Sequence, residues 1–160
     1  VSAGTVVVGI GNPYRHDDGI GPLVAELVDA YRLAGVTAVP VGDADPTLLI
    51  EAWAGAELAV VVDAALCRPS HPGRIHRVIP GECALDGYMA ATASTHHLSL
   101  AEALRLSAAL EAGPERLVVL AVEAADVSIG EGLSPMVAAA VPRVLGRVLA
   151  EIVPAHAPAR

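Results

Sequence analysis

A chain of 160 residues that is 54% hydrophobic can bury one substantial core, and no break in composition divides it, so a single domain over residues 1–160 is expected. Eighteen acidic residues against ten basic ones, all arginine, give a net charge of −8. That charge repels nucleic-acid backbones and anionic bilayers, which excludes both as partners. Cys67 and Cys83, the only cysteines, read as free thiols of a reducing compartment. With no apolar run near bilayer length and no leader pattern, a cytoplasmic location is expected.

The β-branched run Thr5 to Gly9 predicts a parallel strand covered on both faces. It opens into a loop punctuated by Gly9, Gly11, Gly19 and Gly21 that carries His16, Asp17 and Asp18. Pro22 suits a first helical turn, and Leu23, Val24, Leu27, Val28 and Tyr31 fall on one face as far as Gly35. Val36 to Val41 predicts a second strand, and Asp45 is placed to cap a short helix from Pro46 to Trp53. Leu58 to Val62 predicts the most buried strand, closing on Asp63, and Arg74 to Ile79 a more polar edge strand.

Pro80 to Thr95 is irregular and delivers His96 and His97 to a helix running to about Ala112, stopped by Gly113 and Pro114. Leu117 to Val122 predicts a last buried strand, closing on Glu123. Ser134 and Pro135 then open a final helix to about Val153, which Pro142 should bend or interrupt, and the tail beyond Pro154 should fray.

Strands alternating with helices predict an α/β fold: a mostly parallel sheet of about five strands with helices on both faces. In open parallel sheets ligands bind beyond the carboxyl ends of the strands. Asp17, Asp18, Asp63, His96 and Glu123 all fall there. The loop itself admits three readings. A dinucleotide fingerprint is rejected, because Tyr14 stands where its third glycine belongs. A solvated turn is the second. The third is metal ligation by Asp18, Asp63 and His96, whose oxygen and nitrogen donors suit nickel or zinc. Asp17 can exchange roles with Asp18. His16 reads as a loop residue near the site, His97 as a solvent-facing helix start, and His71 and His76 as surface residues.

Four stretches carry a resemblance: G-I-G-N-P-Y-R-H-D-D-G-I-G at Gly9 to Gly21, the strand-closing Asp63, S-T-H-H-L-S-L at Ser94 to Leu100, and G-L-S-P-M-V at Gly132 to Val137. Together they resemble the hydrogenase maturation proteases over nearly the whole chain. The resemblance implies a single-domain three-layer sandwich, phosphorylase/hydrolase-like. It also implies a metal-dependent endopeptidase that removes the C-terminal extension of a nickel-iron hydrogenase large-subunit precursor after nickel insertion. Asp18, Asp63 and His96 match the family's metal-contacting and catalytic positions. Gly11 and Asn12 match the preceding loop, and Asp43 falls in the segment where the family selects substrate. Ala124 replaces the family's proline after Glu123.

The nickel implied is the substrate's own, sensed by the protease, with zinc or another divalent ion as a surrogate. Two other readings stand beside this one. The same ligands would serve a nickel-sensing or nickel-carrying module without proteolysis. The G-N-P and Arg15-His16 elements also resemble peptidyl-tRNA hydrolases, although Asp17 stands where an asparagine would and the acidic surface does not suit tRNA.

Overall fold

The computed structural model describes residues 4–42, 45–80 and 97–155. Strand β1 (Thr5–Ile10) leads through a 3-10 turn (His16–Gly19) into helix α1 (Ile20–Ala30). Strand β2 (Val36–Val41), helix α2 (Pro46–Trp53), strand β3 (Leu58–Ala65) and strand β4 (Ile75–Val78) follow. Helix α3 (His97–Ala109), strand β5 (Arg116–Glu123) and helix α4 (Pro135–Ala155) complete the described elements. The sheet order is β2-β1-β3-β5-β4, parallel except for the antiparallel edge strand β4. The fold is therefore the expected α/β sandwich. Among the described residues no helix is long and apolar enough to cross a membrane.

Side chains alternate between the two faces of the sheet, and each face has its own helices. Val7, Val60, Val62, Val118 and Leu120 pack with Val24 and Val28 of α1 and with Val137, Ala140, Val144 and Val148 of α4. On the other face Val8, Ile10, Val61 and Val119 pack with Leu49 and Trp53 of α2 and with Leu100 and Ala103 of α3. Each such side chain contributes roughly 1.5–3 kcal/mol on burial. The indole N–H of Trp53 donates to Ser107 Oγ at 2.9 Å inside this layer, joining α2 to α3.

Several boundaries differ from those the pattern predicts. Strand β3 continues through Asp63 to Ala65, because β5 stays alongside in register as far as Ala65 opposite Glu123. Helix α1 starts at Ile20, which puts Pro22 at its third position, where an amide still lacks an intrahelical acceptor. Helix α3 ends before Gly113. Glu111 takes the left-handed conformation (φ 51°), and Ala112 N–H reaches back to the Ser107 carbonyl at 2.9 Å, closing the helix with a non-glycine residue. Pro142 does not interrupt α4, which is one helix from Pro135 to Ala155. The proline ring is exposed, and the apolar stripe from Val137 to Ile152 holds the helix on the sheet despite one missing N–H. Asp45 caps α2 as expected, accepting from Thr47 N–H at 2.8 Å.

Two glycines let α1 sit directly on the sheet. A Cβ at Gly21 would fall 2.2 Å from the Ile10 carbonyl oxygen and 2.6 Å from that of Val62, and one at Gly9 would fall 2.1 Å from the Gly21 oxygen. These are backbone atoms, with no flexible side chain to yield. We expect Gly21→Ala to destabilise the fold by about 3 kcal/mol or more. Gly146→Ala, in an α4 interior position with nothing within 4 Å, should stabilise it by about 0.5–1 kcal/mol; chemical denaturation distinguishes the two.

Glu151 on α4 receives Arg77 of β4 and Arg116 of β5, clamping the helix over the sheet edge. The hydrogen bond from Arg77 holds its carboxyl below the usual glutamate range; burial opposes this, and the charges of Arg77 and Arg116 reinforce it. With the folded-state pKa depressed, the unfolded chain takes up the proton first as pH falls. The stabilisation is complete above the ordinary glutamate range and is lost as pH drops through the folded value. Glu151→Gln should thus be less stable than wild type by about 0.5–1 kcal/mol at neutral pH. The gap should close in acid, as denaturant titrations at several pH values will show.

Candidate active site

The turn after β1 is built on close backbone approach. Gly11 has φ 138°, and a Cβ there would stand 1.9 Å from the Asp18 carbonyl oxygen, so only glycine lets the turn fold back on the strand. Asn12 orders the crossing: its Oδ1 accepts Tyr14 N–H, and its own N–H donates to Asp18 Oδ2, each at 2.9 Å. Asp18 N–H in turn donates to the Arg15 carbonyl at 3.1 Å. The Asp18 carboxyl is thereby held over the end of β1, its Cγ 3.5 Å from where a Gly11 Cβ would be.

Asp17 and Asp18 are both buried, but they do different work. Asp17 accepts from Ala125 N–H (2.8 Å), Asp126 N–H (3.0 Å), Ser134 N–H (2.7 Å) and Ser134 Oγ–H (2.8 Å). Its own N–H donates to the Asp126 carbonyl at 2.9 Å. Four donors fill the acceptor sites of a carboxylate without a cation. Asp17 is the latch between the glycine loop and the segment after β5. The Ser134 hydroxyl, expected to cap the last helix, donates to this latch.

His16 belongs to the same latch. It occupies a left-handed conformation (φ 44°), and its N–H donates to the Gly130 carbonyl at 2.9 Å. Its Nδ1 lies 2.9 Å from the Gly132 carbonyl, which only accepts, so Nδ1 carries the proton. A Cβ at Gly130 would lie 2.1 Å from His16 Nε2, so this glycine makes room for the ring. Arg15 Nε–H donates to the Val127 carbonyl nearby.

Asp63 reaches the same edge from β3. The register places Val62 beside Gly9, so Asp63 stands level with Ile10, on the face that Ile10 and Val61 share. Asp18 and Asp63 retain only 4% and 2% of their exposure. The turn that carries Asp18 packs on β3. Two buried carboxylates therefore stand at the carboxyl ends of neighbouring strands. His96 and Asp43 lie outside the described residues, as does Cys83; α3 begins at His97, the residue after the expected ligand.

A second group of titratable residues lies one strand further along. Glu123, 2% exposed, accepts from His71 N–H and is 2.7 Å from His76 Nε2. Burial raises its carboxyl pKa, but those two hydrogen bonds and the neighbouring imidazoles outweigh it and leave the net shift downward. His71 and His76, expected as plain surface residues, are partly exposed yet both aim at this acid. The available signal was Glu123 itself, an acid closing an apolar strand. Its partners are 47 and 52 residues away in sequence.

Comparison with known proteins agrees with this architecture. The hydrogenase maturation protease model matches residues 22–151, and the chain belongs to that family of peptide-bond hydrolases. The glycine loop and Asp18 lie just ahead of the matched region. The chain is similar to the hydrogenase maturating endopeptidase HybD from E. coli, at 22% identity and a TM-score of 0.83 over 96% of this chain and 94% of that one. It is similar to the NiFe hydrogenase maturation protease HybD from Thermococcus kodakarensis, at 22% identity and 0.80 over 93% and 99%. HycI from T. kodakarensis KOD1 aligns at 21% identity and 0.65 over 94% and 92%. At such identities these likenesses speak to the fold. No curated protein sequence matches the chain significantly. Family membership sets aside the peptidyl-tRNA hydrolase reading.

The unequal roles of the adjacent aspartates can be measured. Asp17→Asn places an amide NH2 among backbone donors and should cost about 2–4 kcal/mol in denaturant unfolding. Asp18→Asn, which keeps an acceptor for Asn12 N–H, should cost less than Asp17→Asn.

Proposed function

We propose that this protein is the endopeptidase that removes the C-terminal extension of a nickel-iron hydrogenase large-subunit precursor once nickel has been inserted. The observation that carries this reading is the burial of two carboxylates, Asp18 and Asp63, at the carboxyl ends of the paired strands β1 and β3 in a member of the maturation protease family. The nickel belongs to the substrate. Asp18 and Asp63 supply oxygen donors to it and His96 an imidazole nitrogen, a set that fits a borderline divalent ion. Zinc or another divalent ion serves as a surrogate in the same donor set.

The chain's own part is positional. Asn12 N–H orients the Asp18 carboxylate, and the Asp17 latch fixes the loop that carries it. In this reading Gly11 and Asn12, with Asp43 by the family resemblance, contact the substrate's C-terminal segment. A nickel ion shared between precursor and protease would hold one peptide bond at the carboxylate edge, and positioning of this kind accounts for cutting a single bond. The work is done in the cytoplasm, where the precursor is assembled.

Mass spectrometry of the precursor tests this. Incubation with the nickel-loaded precursor should release one C-terminal peptide, and the metal-free precursor should stay intact. Asp18→Asn, Asp63→Asn and His96→Ala should each slow release by more than about 100-fold. Binding of the loaded precursor with no peptide released would assign the protein instead to nickel sensing or carriage.

A further inference from the structure

Strand register brings a different set of donors together beside the carboxylate edge. His76 lies opposite Ala121, which lies opposite Asp63, while Glu123 pairs with Ala65. Alternation puts Asp63, Glu123 and His76 on one face of the sheet, the face of Val61, Val119 and Val78. Cys67 follows β3 by two residues. One donor atom each from Cys67, His76 and Glu123 lie within 4.8 Å of one another. His71 Nδ1 is 3.9 Å from Glu123 Oε2 on the more exposed side. From Asp63 to His76 is two strand spacings, about 10 Å.

We propose that Cys67, His76 and Glu123 form a second cation site, specific for thiophilic divalent ions of the zinc class, with His71 as the fourth donor. The donor chemistry decides the ion. A thiolate with an imidazole and one carboxylate selects zinc, cobalt or nickel over magnesium and calcium, which demand more oxygens. The geometry is near that of a bound state. Around a tetrahedral zinc, donors stand about 2.0–2.3 Å from the ion and so about 3.3–3.8 Å from one another; the His76–Glu123 pair, at 2.7 Å, would open slightly, and no pair, all within 4.8 Å, has to close by more than about 1 Å.

The backbone around the donors is already fixed. Gly73 N–H donates to the Glu123 carbonyl at 2.8 Å, Glu123 N–H to the Arg74 carbonyl at 2.9 Å and Ala124 N–H to the Ala65 carbonyl at 2.8 Å. The turn from Cys67 to Arg74 is thus held to β5 independently of any ion, and the donors need only side-chain adjustment. Burial holds the Cys67 thiol above its ordinary pKa, and the Glu123 charge adds to this. The site does not rest on the proteolytic reading, since none of its donors belongs to the Asp18, Asp63 and His96 set.

The test is metal titration of the purified, chelator-treated chain, without precursor. Cobalt(II) should produce a near-ultraviolet sulfur-to-metal charge-transfer band in wild type, in Asp18→Asn and in Cys83→Ser. The band should vanish in Cys67→Ser. Zinc competition against a chromophoric chelator should show an affinity lowered by about tenfold or more in both Cys67→Ser and His76→Gln. Circular dichroism should confirm that these variants keep the wild-type fold. Absence of the band in folded wild type, or its survival in Cys67→Ser, overturns the assignment. Loss in Asp18→Asn with retention in Cys67→Ser would place the ion at the carboxylate edge instead.

Discussion

Backbone lying directly on backbone is the constraint from which this structure follows. Where α1 crosses the end of the sheet, Gly9, Gly11 and Gly21 leave no distance for a side chain, and carbonyl oxygens of Ile10, Val62 and Asp18 occupy the space a Cβ would need. The approach seats the 3-10 turn on the ends of β1 and β3. Asp18 is buried by that geometry, and Asp63 rises beside it because parallel register leaves β3 no other place. Replace the contact with ordinary helix-on-sheet spacing and the two carboxylates no longer share an edge.

Adjacent aspartates then differ in the donors within reach. A buried carboxylate is stable when its lone pairs are filled. Asp17 meets that condition with main-chain amides and one serine hydroxyl, and Asp18 accepts the main-chain N–H of Asn12. Glu123 shows a third arrangement, a buried acid held by histidines from the turn before β4 and from β4 itself. The three acids are alike in sequence context, each beside a buried strand. Their surroundings separate them.

This also sets the limit of what the residue pattern discloses. The strands are legible because β-branched runs such as Val6 to Val8 and Val60 to Val62 can only be buried on both faces. The carboxyl-edge position of Asp18 and Asp63 follows from parallel connectivity alone. The choice between Asp17 and Asp18 is not legible, since it depends on amides at Ala125, Asp126 and Ser134. The same holds for the grouping of Cys67, His76 and Glu123, which requires β4 to turn antiparallel at the edge of β5. Local propensity misleads at two helix positions. Pro142 reads as a break but is carried by the apolar stripe around it, and Gly113 reads as a stop that Glu111 has already supplied.

The latch at Asp17 joins residues 117 positions apart in the chain. A loop of that span costs several kilocalories of closure entropy, growing only slowly with length (about 0.6 kcal/mol per doubling), and the bonds that close it are useless until both ends have arrived. The glycine loop, though written in a dozen consecutive residues, is not a local structure. Its amide partners at Ala125, Asp126 and Ser134 come more than a hundred residues later in the chain, so the acidic edge takes its shape only once the turn after β5 has docked. A peptide copying residues 6–21 has the right side chains and lacks the amides that orient them.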